Sequence, residues 1–167
     1  MAEDIEKTPF EKIIERLFAN GVEFIVIGGE AETLHGSPRV TYDTDICCRR
    51  TGENLRRLAE ALQELSPTLR GAPPDLPSRL DAESLALGCN FTFATSEGDL
   101  YLTGFVEPVG DYAELVKRAE TIQVGPVSLN VVALDDAIRV KEHLGRPKVR
   151  EALLHLLGIR RIRDAES

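Results

Sequence analysis

The sequence predicts an α/β (α+β) domain built on a mixed β-sheet flanked by helices. Three observations predict this class. Apolar stripes of helical period alternate with short β-branched runs along the first half of the chain. Two pairs of strand-like runs are joined by short Gly-containing links, which implies antiparallel hairpins and excludes a purely parallel sheet. The chain has 167 residues, 43% of them hydrophobic and 29% charged, with no internal repeat or composition shift. That is the size of one domain with its own core, so residues 1–167 are read as a single unit with C-terminal helices 134–162 packed on it.

Taken in order, residues 8–20 form the first helix. Thr8-Pro9-Phe10-Glu11 is a capping box with proline at the first helical position. Phe10, Ile13, Ile14, Leu17 and Phe18 give its apolar stripe, and Asn20-Gly21 ends it. Residues 22–27 are too apolar for an edge and read as a central strand, broken by Gly28-Gly29. A short helix over 30–35 stops at Gly36, and residues 41–49 form the next strand. Thr51 caps a helix whose stripe is Leu55, Leu58, Ala59, Leu62 and Leu65. Residues 66–80 contain four of the nine prolines and are expected to be irregular, followed by a brief helix over 82–87 capped by Asp81. Strands 90–95 and 99–106 join through Ser96-Glu97-Gly98; a short helix follows at 111–119. A second hairpin pairs 122–124 with 127–132, and helices 134–144 and 148–162 close the chain around a Gly145-Arg146-Pro147 break.

Composition narrows the function. No apolar run approaches 18 residues, so nothing is expected to span a membrane, and MAEDIEKTPFEK is acidic and lacks the apolar core of a signal peptide. Cytoplasm is the default expectation. Three cysteines make no disulfide framework or zinc spacing and read as small core residues. A formal charge of −8 argues against an extended DNA-binding surface. An acidic chain that handles phosphates needs a divalent cation to bridge the like charges.

Chemistry concentrates in IVIGGEAETLHGSPRVTYDTDICC, residues 25–48. A strand that ends in Gly28-Gly29 and turns into a helix lets backbone N–H groups approach a phosphate with no Cβ in the way. Asp43 and Asp45 lie two apart at a strand entry, so both point to one face with Cα atoms about 6.5–7 Å apart. Two carboxylates placed this way can hold Mg²⁺ on a phosphate substrate. Lys141 interrupts the buried face marked by Leu134, Ala137, Ile138 and Leu144. A buried ammonium needs a partner, for which a triphosphate or the Asp43/Asp45 pair would serve; alternatively its stem lies on apolar surface and its head reaches water. Arg39, beside Pro38, is a further phosphate-binding candidate.

Gly28-Gly29 with Asp43-x-Asp45 fourteen residues on, together with His35-Gly36 and Arg39-x-Thr41-x-Asp43-x-Asp45, resembles the nucleotidyltransferase superfamily of the polymerase-β type, in particular its minimal and toxin-type members. NFTFATSEGDLYLTGFV and LDDAIRVKEHLGRPK are similar to the later strand pair and terminal helix of that family. The resemblance implies a nucleotidyltransferase-like fold that binds an NTP and Mg²⁺ and transfers NMP to a hydroxyl on RNA, protein or a small molecule. Gly28, Gly29, Arg39 and Lys141 would bind the nucleotide, and Asp43 and Asp45 the metal. The family's third catalytic carboxylate falls here at Tyr101, in Gly98-Asp99-Leu100-Tyr101-Leu102. Asp99 shares its face two residues earlier, and substitutes only if the strand slips or bulges. The alternative is a catalytically impaired binding module with a protein partner, as in a toxin–antitoxin or defence pair.

Overall fold

A computed structural model describes residues 6–70 and 80–166. Helix α1 (Pro9–Ala19) starts at Thr8, whose hydroxyl accepts from the Glu11 amide at 3.2 Å, and buries Phe10, Ile13, Ile14 and Leu17. Phe18, expected in that stripe, is half exposed. Strand β1 (Phe24–Ile27) is wholly buried and runs straight into α2 (Gly28–Leu34). Then come β2 (Thr44–Cys48), α3 (Gly52–Gln63), β3 (Thr68–Leu69) and α4 (Ala82–Leu87). Asp81 caps α4 by accepting from the Ser84 amide at 2.8 Å. Strands β4 (Asn90–Thr95) and β5 (Gly98–Thr103) form the first hairpin, turned by Gly98 at φ +96°. The chain continues through β6 (Phe105–Val106), β7 (Gly110–Asp111), α5 (Tyr112–Leu115), β8 (Glu120–Val124) and β9 (Val127–Val131). It ends with α6 (Leu134–Leu144), a 3₁₀ turn at Pro147–Val149, and α7 (Arg150–Glu166).

The main sheet has seven strands in the order β3-β4-β5-β2-β1-β9-β8. It is mixed, as expected: β2 runs parallel to β5 and β1 parallel to β9, while every other neighbouring pair is antiparallel. Two registers align the candidate residues. Ile27 lies opposite Asp45 across β1 and β2, and Asp45 lies opposite Tyr101 across β2 and β5. Along β5, Leu100 and Leu102 enter the core, whereas Asp99, Tyr101 and Thr103 face the other way and stay half exposed.

The structure departs from the sequence reading at element ends. Helix α2 begins at Gly28, two residues early, so the glycines belong to its first turn. Strand β2 begins at Thr44 rather than 41, because its partner β1 has already turned into α2 at that level. Strand 99–106 breaks at Gly104, where a Cβ would run into the Cys89 thiol, and residues 105–106 pair with β7 instead. The expected helix 111–119 is a single turn capped by Asp111. Within the stretch expected to be irregular, Thr68 and Leu69 add an edge strand to β4, and residues 71–79 lie outside the described residues.

Two buried side chains fasten these elements. His35 closes α2; its Nε2 is 2.7 Å from the Val132 carbonyl and its Nδ1 is 3.0 Å from Arg163 Nη2. Because a guanidinium only donates, Nδ1 accepts and Nε2 carries the hydrogen. Arg163 also reaches Glu120 at 3.0 Å, which ties α7 to β8 and α2. Asn54 sits in the first turn of α3 and is 2% exposed. Its Oδ1 accepts from the Glu23 amide at 2.7 Å, and its Nδ2 donates to Glu23 O at 2.9 Å and Arg49 O at 2.7 Å. One amide thus splices the start of β1 to the end of β2. Asn54→Ala strands a buried amide and weakens two carbonyls, and is expected to cost about 3 kcal/mol in urea unfolding at unchanged m-value.

Candidate active site

The register places a row of functional groups across three strands. Gly28 follows Ile27 at the end of β1, Asp45 stands next to Ile27 on β2, and Tyr101 stands next to Asp45 on β5. Register partners project to the same face, so Asp45 and Tyr101 share one surface. Asp43, two residues before Asp45, is exposed at the end of β2, and its charge acts on both. Burial and then the Asp43 carboxylate push the Asp45 carboxyl up to about 6. Burial and then Asp45 push Glu30, half buried in the first turn of α2, up to about 7.

The two glycines explain the spacing of the motif. Gly28 sits at φ +68°, and a Cβ there would overlap the Asp45 carboxylate. A Cβ on Gly29 would approach Thr41 Oγ1 to 2.9 Å. The loop between α2 and β2 therefore folds back onto the glycine turn, and the room left by the missing side chains is filled partly by the Asp-x-Asp segment itself. Thr33 reinforces this closure. Its hydroxyl lies 3.1 Å from both Gly29 O and Arg39 O, and its one hydrogen goes to either in turn.

Lys141 is 17% exposed, and its partner is a carboxylate that sequence reasoning passed over. Its ammonium lies 2.9 Å from Oε1 of Glu32, whose side chain is only 5% exposed on α2. This is an ion pair by distance without hydrogen-bond geometry, so Glu32 Oε1 keeps a free lone pair within the described protein. Lys141 also draws the Asp45 carboxyl downward, against burial and Asp43. Together with Gly28, Asp45 and apolar walls from Val106, Val132, Val140 and Leu144, the pair lines a recess of about 230 Å³. A larger recess of about 470 Å³ lies elsewhere, along α1, but its Lys7, Lys12 and Arg16 are already paired with Glu15, Glu97 and Glu64.

The remaining candidates lie apart from this row. The ladder through Asp99, Leu100 and Tyr101 is continuous, so Asp99 does not slip into the place of Tyr101, and its carboxylate pairs with Arg70 at 2.9 Å. Arg39 is exposed on the α2–β2 loop, without an ion pair among the described residues. Of the C-terminal arginines, Arg160 pairs with Asp135 and Arg163 with Glu120, which leaves little for a nucleic-acid patch. Cys47 and Cys48 are buried, as expected, whereas Cys89 is exposed. No helix among the described residues is long and apolar enough to cross a membrane.

Among the described residues no group of three or more His, Cys, Asp or Glu is arranged to hold a metal by itself. Asp43 and Asp45 nevertheless fit Mg²⁺, which is commonly held by one or two carboxylates while phosphates and waters complete its shell. Burial first and the Asp43 carboxylate second push Asp45 upward, only partly offset by Lys141, and a bound cation would relieve that push.

No protein-family model and no curated protein matches the sequence. Solved structures do. A protein of Thermotoga maritima, TM1012, assigned as a nucleotidyltransferase, superposes with TM-score 0.55 at 19% identity, over 88% of this chain and 89% of that one. The solution structure of the antibiotic-resistance factor ANT(2'')-Ia gives 0.59 at 12% identity, over 94% and 88%. Its crystal structure with adenylyl-2''-tobramycin gives 0.56 at 13%, over 92% of each chain. The chain has a nucleotidyltransferase-like fold. At these identities the likeness establishes architecture, and within that nucleotidyltransferase-like fold the row Gly28–Asp45–Tyr101 rests on the strand registers and glycine packing of this chain.

Gly28→Ala forces a left-handed residue, costing about 1–2 kcal/mol from the backbone alone, and displaces Asp45 as well. Gly52→Ala, where nothing lies within 4 Å of the added atom, is the control and is expected to be neutral or mildly stabilising in the same unfolding assay. The site also carries a pH dependence. Asp45 and Glu30 bind their protons more tightly folded than unfolded, so they favour folding fully below their ordinary values of 3.8 and 4.5. That stability is lost as pH rises through about 6 and about 7. In metal-free buffer, Tm is expected to fall across this window, and the fall to flatten in the Asp45→Asn/Glu30→Gln double variant.

Proposed function

We propose that this chain binds an NTP with Mg²⁺ over Asp43 and Asp45 and transfers its NMP to a hydroxyl. The observation that carries the reading is the glycine turn packed directly against the Asp45 carboxylate, beside a second carboxylate two residues away. The polyphosphate would lie beside Gly28 and Gly29, both of them partly exposed. Mg²⁺, held by Asp43 and Asp45, would neutralise charge gathering on the phosphates. Lys141, anchored by Glu32, would keep positive charge at the wall of the same recess. Arg39 is free to swing toward a phosphate. The recess is largely apolar on its α6 side, which suits a base or another flat ring. The acceptor is a hydroxyl on RNA, protein or a small molecule; the last class draws support from the ANT(2'')-Ia neighbour captured with adenylyl-2''-tobramycin.

A second reading is favoured by Tyr101. With a phenol in place of a third carboxylate, an external acceptor lacks a strong base, and the chain would serve as a nucleotide-binding module paired with another protein. Both readings require nucleotide binding. Calorimetric titration of the four NTPs is expected to give Mg²⁺-dependent heat for at least one of them in the natural chain, and more than tenfold weaker binding in Asp45→Asn. Absence of any Mg²⁺-dependent signal sinks both. Transfer of α-³²P label to material other than nucleotide separates an enzyme from a binding module.

A further inference from the structure

The geometry points to Tyr101 as an acceptor: we propose that the chain transfers an NMP onto its own phenol. This rests on the nucleotidyl-transfer reading of the site and goes beyond it by naming the acceptor. The sheet order decides the arrangement. Going from β1 through β2 to β5, the glycine turn stands on one side of Asp45 and Tyr101 on the other, in a single row. Neighbouring strands are about 4.8 Å apart, so the flanking positions are separated by roughly 10 Å. A phosphate centred over Asp45 then has its leaving group toward the glycines and the phenol on the opposite side. That is the in-line disposition a displacement at phosphorus requires.

The phenol is also available. Tyr101 lies on the half-exposed face of β5, and neither its hydroxyl nor its ring is engaged by a hydrogen bond or ring contact among the described residues. Its surroundings are carboxylates: Asp43 first, then burial and Asp99, hold the phenolic proton more tightly than in a free tyrosine, so what recommends Tyr101 is its position. A built-in nucleophile offsets the missing third carboxylate by its position. An oriented intramolecular group reacts with an effective concentration of about 10⁵ M or more.

The step balances without an added reactant. Tyr101 Oη forms a bond to the α-phosphorus of the bound NTP, and the bond from that phosphorus to the bridging oxygen of the β-phosphate breaks. Pyrophosphate leaves with the electron pair, and the phenolic proton passes to solvent, to which the half-exposed Tyr101 is open. The product is a tyrosyl phosphodiester, which then fills the acceptor side of the row. Each chain therefore reacts once.

The test uses the full chain with each α-³²P NTP and Mg²⁺, read by denaturing gel, intact mass and peptide mapping. The expected result is a single NMP adduct that plateaus at one per chain, maps to Tyr101, and forms with a rate constant unchanged by tenfold dilution. Tyr101→Phe, checked for folding by its thermal transition, is expected to lose the adduct at least tenfold. Mg²⁺-dependent nucleotide binding with no adduct overturns this inference and leaves the reading of the site intact. So does an adduct that maps to the 85%-exposed Tyr42 beside the row, or a rate that scales with protein concentration. Failure to bind any NTP overturns both.

Discussion

The contact on which the site depends is between Gly28 and the carboxylate of Asp45. A positive φ at Gly28 turns β1 into α2 within one residue, and the absent side chain lets β2 present its acid against the turn. Any larger residue would push Asp45 away or unwind the first turn of the helix. The glycines and the aspartates are thus not two independent features that happen to lie near each other. They are two halves of one packing arrangement, and the loop from His35 to Asp43 is the length of chain needed to bring them together.

That arrangement gathers negative charge. Glu30, Glu32, Asp43 and Asp45 converge on one region, and Lys141 is the cation built into its wall. Desolvating so many acids is unfavourable, which is why two of them hold protons well above the usual carboxylate range. Functional sites accept such strain when a ligand relieves it. The rest of the molecule supplies the rigidity: Asn54 joins β1 to β2 at the far end of the same strand pair, and His35 locks the exit of α2 to β9 and α7.

Tyr101 stands apart from the acidic pattern around it. It sits in an unbroken ladder, level with Asp45, so its position is set as firmly as that of the aspartate. A phenol there is too weakly acidic to act as a metal-holding carboxylate at neutral pH. Asp99 is held back by Arg70 and cannot compensate without breaking the hairpin register. Under the proposed nucleotidyl transfer, the site would work with a phenol at that position.

The order of the principal elements, the mixed character of the sheet and the closeness of Asp43 to Asp45 were all legible in the amino-acid sequence. Each of these is local: capping residues, apolar period and strand alternation act over a few positions, as at Thr8, Thr51 and Gly98. Long-range packing, in contrast, made Glu32 the partner of Lys141, gave Gly28 the task of making room for Asp45, and assigned Asp99 to Arg70. It also shortened β2 and β5 relative to their β-branched composition, because a strand lasts only as long as its neighbours do. One cause underlies the division. Propensity and period are properties of a segment, whereas burial, register and charge pairing are set by residues distant in the chain that folding brings side by side.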